Sequence, residues 1–408
     1  MKLFAALLII VFLAFSGYHL SFRSFRLPLF ARTFYMTGIE FLFLGLLLGP
    51  HFLNLLDVRT MDGLEPLSAL LLGWVGLLCG FQFELSGIRQ FPRSFFLSSL
   101  IDILVTFGLV FTGFYFLLPY GFNVSGPRLL MISTGLAAAA TCTAQTGLAL
   151  LTSETIKKRS HLVNYLRYLS SMNGMGALIL FSGVFLFKPS TRLESGILFS
   201  PSAFSILSVV VANVTLILLY NLFLSKPKEK KELSLLLIGM VIITSGAATS
   251  LGFSPLLANF AMGTVLVNTR REKERIFSQL VWAEKPLYLL LLVFLGARWT
   301  TNSLYILPLA IGFAFLRFTG KLSAGYLASR VHHQQQTFPK SLGLGLLEQG
   351  GVPLAIYFDL NHAFHDPLMD LLVGVAIIGL IIGDMVSPHL IGNLVNPERT
   401  LKKIDEQV

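Results

Sequence analysis

The 408-residue chain is poor in charge: Asp, Glu, Lys and Arg make up 13% of it, against about 25% in ordinary globular proteins. With 54% hydrophobic residues and 36 phenylalanines, it cannot cover itself with a water-compatible surface, which excludes a soluble globular protein. Cysteine is nearly absent. Cys79 and Cys142 both lie inside apolar runs, which excludes a disulfide framework or a cysteine metal site and leaves a small packing role. Acids (21) are scarcer than bases (31). In a soluble protein that excess would suggest nucleic acid, but here the bases cluster between apolar runs and read as membrane topology. A phosphate cradle is missing too, because Gly320-Lys321-Leu322 has neither the spacing nor the hydroxyl of G-x-x-x-x-G-K-[ST]. No His-Glu-x-x-His, Cys-x-x-Cys or Gly-x-Ser-x-Gly occurs. These absences argue against an enzyme, a cofactor or an ATP-driven pump, and leave a gradient-driven transporter or a channel.

What the chain has is apolar runs. A run of about 20 residues spans the hydrocarbon layer as a helix. Such runs fall near 3–20, 34–50, 65–83, 94–118, 127–151, 161–187, 198–224, 233–251, 254–268, 280–297, 302–328, 341–359 and 367–394, which predicts about thirteen transmembrane helices. Placing the N-terminus outside puts Arg23, Arg26, Arg32, Arg89, Arg93, the 157–159, 226–231 and 270–275 clusters, Arg330, Lys340, Arg399, Lys402 and Lys403 inside: 21 bases against 6 outside. Lys and Arg favour cytoplasmic loops, so an error of one span would destroy this bias. The reading is therefore N-out and C-in. Ala14-Phe15-Ser16 resembles a cleavage site, but Arg23, Arg26 and Arg32 favour keeping the first run as a span. The chain divides into a transmembrane domain over 1–395 and a short cytoplasmic tail over 396–408.

Two spans carry polar interruptions. The fifth holds Gly135 to Gly147, with Thr141, Cys142, Thr143 and Gln145, and the twelfth holds Glu348-Gln349-Gly350-Gly351-Val352-Pro353. They lie seven spans apart, so they run in opposite directions, as inverted repeats require. Unwound backbone at membrane depth offers carbonyls and half-helix ends to ions. The alternative for either segment alone is close helix packing through small residues.

The chain resembles the monovalent cation:proton antiporters, the Kef-type and bacterial sodium–proton exchanger superfamily. The segments that carry the likeness, in order, are Gly45-Leu-Leu-Leu-Gly49-Pro50, Gly80-Phe-Gln-Phe-Glu84-Leu85, Ser254-Pro255 to Gly263, Pro286 to Ala297, Arg317-Phe-Thr-Gly-Lys321 and Leu346 to Ile356. The resemblance implies an all-α fold with inverted repeats, two crossed broken helices, and a panel set against a mobile core. It also implies alternating-access exchange of Na+ or K+ for protons, homodimers and an inner-membrane location. It places a working carboxylate in the sixth helix, where this chain has Asn173-Gly174, and neither side chain titrates. Lys321 remains as the charge partner that position implies. Two acids are candidates to replace the missing one. Glu348 lies roughly 10 Å into its span and Asp102 roughly 12 Å into its own. An acid at that depth is a site hypothesis by default, with hydrogen bonding to loosened backbone (Glu348) or to a neighbouring Ser or Tyr (Asp102) as the structural alternatives. The candidate cation and proton site is thus Thr141, Thr143, Asn173, Glu348 and Asp102, with Gly350 and Gly351 at the helix break. Arg167 and Arg317 read as snorkelling to the inner interface, and His332, His333, His362 and His365 as loop residues. The vacancy at 174 keeps two other functions open: a sensor or scaffold subunit without proton coupling, or a carrier of an anion or neutral solute.

Overall fold

The computed structural model describes residues 38–144, 160–187, 211–220, 230–270, 272–299, 304–331, 339–364 and 367–395. The expected first span, Gln145 to Gly147 and the tail lie outside these residues. The described segments are helical, with no strand among them. In chain order they include α1 (Ile39–Leu48), α2 (Val58–Gly63), α3 (Glu65–Phe81), α4 (Leu85–Ile88), α5 (Arg93–Phe122), α6 (Gly126–Thr141), α7 (Ser160–Ser182) and α8 (Val211–Tyr220). They continue with α9 (Lys230–Ser250), α10 (Pro255–Thr269), α11 (Lys273–Arg298), α12 (Ile306–Val331), a 3-10 turn (Leu342–Leu346), α13 (Gly351–Phe364) and α14 (Pro367–Val395). Five described helices are long and apolar enough to cross a bilayer alone, and a sixth qualifies if the pair bent by 42° within α11 is one span. That bend lies one turn before Pro286, whose ring cannot donate to the carbonyl four residues back.

The helices sort into two bundles. In the first, the panel, α1 packs on α11 and α3 on α10, with glycine at each crossing. A Cβ on Gly45 would sit 2.1 Å from the Val293 carbonyl oxygen, and one on Gly296 would sit 2.0 Å from that of Leu42. Gly76 and Gly80 bring α3 equally close to the Leu256 and Phe260 carbonyls of α10. Without water to drive helix association, such backbone proximity is how membrane helices gain packing energy. The second bundle, the core, gathers α5, α6, α7, α12, α13 and α14 around two broken helices. α7 and α13 bridge to the panel.

Both polar interruptions are unwound. α6 ends at Thr141, and Cys142 is already extended (φ −55°, ψ 145°). The second chain segment runs from the 3-10 turn through Leu347 to Gly350, whose φ of +71° is a left-handed conformation that favours glycine. The two unwound stretches cross. The Ala144 N–H donates to the Glu348 carbonyl at 2.8 Å, and the Thr143 hydroxyl to the Leu346 carbonyl at 3.3 Å.

Candidate functional site at the helix crossing

Unwinding leaves the carbonyls of two half-helix C-termini without intrahelical partners, and such ends carry partial negative charge. α12 places two cations one turn apart against them. Arg317 donates through Nε to the Ala140 carbonyl at 3.1 Å, through Nη2 to that of Cys142 at 3.0 Å, and through Nη1 to that of Leu347. It thereby ties both breaks together. Lys321 Nζ donates to the Thr141 carbonyl at 2.7 Å, to Thr143 Oγ1 at 2.9 Å and to Asp102 Oδ2 at 2.8 Å. All three ammonium protons are used. Lys321 and Asp102 are both fully buried.

Asp102 projects from α5 into the same cluster. Its Oδ2 also accepts from Asn173 Nδ2 at 2.5 Å, and its Oδ1 from the Thr106 hydroxyl at 3.4 Å. Asn173 Nδ2 reaches Thr143 Oγ1 at 3.1 Å, while its Oδ1 accepts from the Ser99 hydroxyl at 3.1 Å. Asp102, Thr143, Asn173 and Lys321 are thus in direct contact. Thr141 joins through its carbonyl, because its hydroxyl turns back to the Ala138 carbonyl at 2.7 Å.

Glu348 is buried as well, and Asp384 and Tyr288 are among its electrostatic neighbours. Beside it, Asp384 Oδ1 accepts the Gln349 N–H at 2.9 Å, next to the N-terminus of α13, where negative charge is favoured. Gly350 and Gly351 stand at the break as expected from the sequence. A Cβ on Gly350 would meet that of Ala144 at 2.6 Å.

Two expectations fail. Arg317 does not snorkel: it is 4% exposed, because the unwound carbonyls give it more hydrogen bonds than the interface could. His362 is not in a loop. It is a buried residue of α13, with Nε2 3.6 Å from Glu65 Oε1. Sequence reasoning also passed over Ser99 and Thr106. With Asp102 they occupy positions i, i+3 and i+7, one face of an otherwise apolar helix, so the signal was present.

The position left empty of a carboxylate is open in space. A Cβ on Gly174 would have no neighbour within 4 Å. The adjacent Ser171 and Met172 line a cavity of about 820 Å3 between the bundles, with Arg167 on the core side and Glu84 and Lys273 on the panel side. Glu84 and Lys273 form an ion pair across the panel wall of that cavity.

Residues 10–392 match the family described as sodium/hydrogen exchanger, transmembrane. No curated protein matches the chain by sequence. Among solved structures, the sodium proton antiporter MjNhaP1 from Methanocaldococcus jannaschii at pH 8 is 19% identical. The alignment covers 97% of this chain and 99% of that one, with a TM-score of 0.62. An electron-microscopy structure of the same antiporter is 16% identical over 96% of both chains, with a TM-score of 0.58. The structures share this fold, and the family match over nearly the whole chain shows that it belongs to the sodium/hydrogen exchanger family of multi-pass integral membrane transporters, which are not enzymes.

Proposed function

We propose that this chain exchanges a monovalent cation, Na+ or K+, for protons by alternating access, with Asp102 as the ion-binding carboxylate and Lys321 as its resident charge. The observation that carries the reading is the 2.8 Å Lys321–Asp102 pair, fully buried where the broken helices cross. A buried ammonium costs several kcal/mol unless paired. The pair is therefore stable in one of two loads. In the first, protonated Lys321 neutralises Asp102. In the second, a cation takes the place of the ammonium, coordinated by the three oxygens that hold it, Asp102 Oδ2, Thr143 Oγ1 and the Thr141 carbonyl, with the Asn173 amide holding Asp102 in place, and Lys321 gives its proton to water. The net charge at the site is the same in both loads, so neither carries an uncompensated charge through the membrane. Asp102 thereby takes the part of the carboxylate missing at Gly174. The cavity reaching Ser171 and Met172 gives the ion its path from the basic, cytoplasmic side. The same charge bias supports the N-out, C-in arrangement in the inner membrane, and the family resemblance supports a homodimer.

A second reading follows from how completely the cluster is satisfied. An ammonium with three acceptors beside a carboxylate with three donors needs no cargo, as in a scaffold or sensor subunit. Proton efflux from proteoliposomes, measured across pH with sodium, potassium or no added cation, separates the two. Exchange predicts cation-dependent efflux that is lost in the charge-balanced double variant Asp102→Asn/Lys321→Met. Efflux that persists in that variant removes the site assignment, and no efflux from the wild type under any condition favours the scaffold.

A further inference from the structure

α13 (Gly351–Phe364) begins at the helix break beside the exchange site and, at 1.5 Å per residue, ends roughly 20 Å away. Near that far end, three polar side chains within four residues each reach a different panel helix. Asp359, fully buried, accepts from the hydroxyl of Ser254, the residue that caps α10 by accepting the Leu257 N–H at 2.9 Å. Asn361 Oδ1 accepts from Nη1 of Arg298, the last residue of α11, at 2.8 Å, and the Asn361 amide donates to Asp370 of α14. His362 Nε2 lies 3.6 Å from Oε1 of Glu65, the first residue of α3. Beside them the Arg298 guanidinium sits over the Phe358 ring, 5.5 Å from its centroid.

The opposite ends of the same three panel helices stand apart from the core. Gln82 and Glu84 just beyond α3, Val267 in the last turn of α10 and Lys273 at the start of α11 line the 820 Å3 cavity, which Asn164 and Ser171 of α7 close on the core side. Core and panel are therefore joined at one end and parted at the other. In the N-out arrangement proposed above, the joined end is the outer one. This joint also differs in kind from the seams inside the panel, where backbones meet at glycine. It is made by the ends of side chains, and water can take the place of each partner when the joint parts, so opening exchanges hydrogen bonds rather than losing them.

We infer that Asp359, Asn361 and His362 form the outer gate of the exchange cycle, a polar clasp that holds the core on the panel while the inner cavity is open and releases to open the outer side. α13 couples the clasp to the ion site, because its first residue belongs to the break itself and a helix transmits displacement along its length. The inference rests on the alternating-access reading, but the opening it requires is measured without any flux.

The test is pulsed electron–electron distance measurement on the full chain in lipid nanodiscs. Cys79 and Cys142, the two free cysteines, are replaced by Ala, and spin labels are placed at Phe52→Cys beyond α1 and Tyr120→Cys near the end of α5, both exposed. With the clasp intact, one distance is expected to dominate. Asp359→Asn/Asn361→Ala/His362→Ala is expected to move most of the population to a second, longer distance, and the half-exposed panel partner alone, Glu65→Gln, to move a smaller fraction. An unchanged distribution in both variants overturns the gate. If the triple variant does not fold, Asn361→Ala and Glu65→Gln decide on the same criterion. In proteoliposomes, Ser254→Cys/Asp359→Cys joined by a short bis-methanethiosulfonate linker is expected to lose cation-dependent proton efflux and to regain it on reduction. Efflux at the same rate before and after reduction also overturns the gate. A wild type without efflux removes the exchange reading, and the distance distributions still decide whether the clasp holds core and panel together.

Discussion

The panel and the core solve the same problem, holding helices together in lipid, by different means. Among the described residues, every buried charged side chain (Asp102, Arg317, Lys321, Glu348, Asp359 and Asp384) belongs to the core, while the buried polar residues of the panel helices are uncharged, such as Asn259 on α10. The panel is fastened by backbone contact at Gly45, Gly76, Gly80 and Gly296. The core breaks two helices and then satisfies the exposed carbonyls with Arg317 and Lys321. A glycine-to-carbonyl seam has one close arrangement and suits a fixed scaffold. A charge network can exchange partners, which is what an ion-handling element requires.

The sharpest way to break this comparison is to remove one charge from the core. Asp102→Asn leaves Lys321 buried without its counter-ion and is expected to destabilise the protein by about 3–5 kcal/mol, read as a lowered thermal unfolding temperature in detergent. Adding Lys321→Met should restore most of the loss, and an Asp102→Asn protein as stable as wild type would show the pair to be incidental. Next in size is a panel seam. Gly296→Ala puts a methyl 2.0 Å from the Leu42 carbonyl oxygen, and overpacking of this kind costs about 1–3 kcal/mol. The same substitution in the core at Gly174 meets open space. There the helix gains the backbone preference of Ala over Gly, so Gly174→Ala should stabilise by about 0.5–1 kcal/mol. Opposite signs for the two variants in the same melting assay would support the division, and equal losses would undo it.

The smallest effect lies at the cavity mouth, outside the spans. The Lys273 ammonium, which donates to the Glu84 carboxylate, and then the Ser86 hydroxyl hold that carboxyl below the usual range. A depressed folded-state pKa contributes stability that is present above the unfolded value, about 4.3. This stability is lost as pH falls through the folded value. The pair is partly exposed, so the contribution is at most about 1 kcal/mol. Wild type and Glu84→Gln should differ slightly at pH 7 and converge in acid, once the pH has fallen through the lowered folded-state value. A gap that widens in acid would contradict the sign.

Several parts of this arrangement were legible in the chain. The apolar runs, the small and polar stretches at 141–143 and 348–351, and an intramembrane lysine opposite Asn173-Gly174 are local features, and local features survive folding. The pairing of Lys321 with Asp102 was not legible, because 219 residues separate them. The depth of a residue along a helix does not reveal which way its side chain turns. Glu348 and Asp102 looked equivalent by depth, yet the fold gives Lys321 to Asp102 and sets Glu348 near Asp384. Arg317 was misread for a related reason. Snorkelling is the cheaper choice for an arginine near a helix end only when no unwound carbonyl lies within reach.

The sequence by itself determined that this chain lives in lipid, because 13% charge cannot clothe it in water. It also marked where two helices break, because the glycines at 350–351 and the β-branched threonines at 141 and 143 are weaker helix formers than the alanines and leucines around them. Only the tertiary structure decided which acid answers Lys321. In a medium of low dielectric a charge takes the partner that three-dimensional packing brings within about 3 Å, and chain order does not encode that distance.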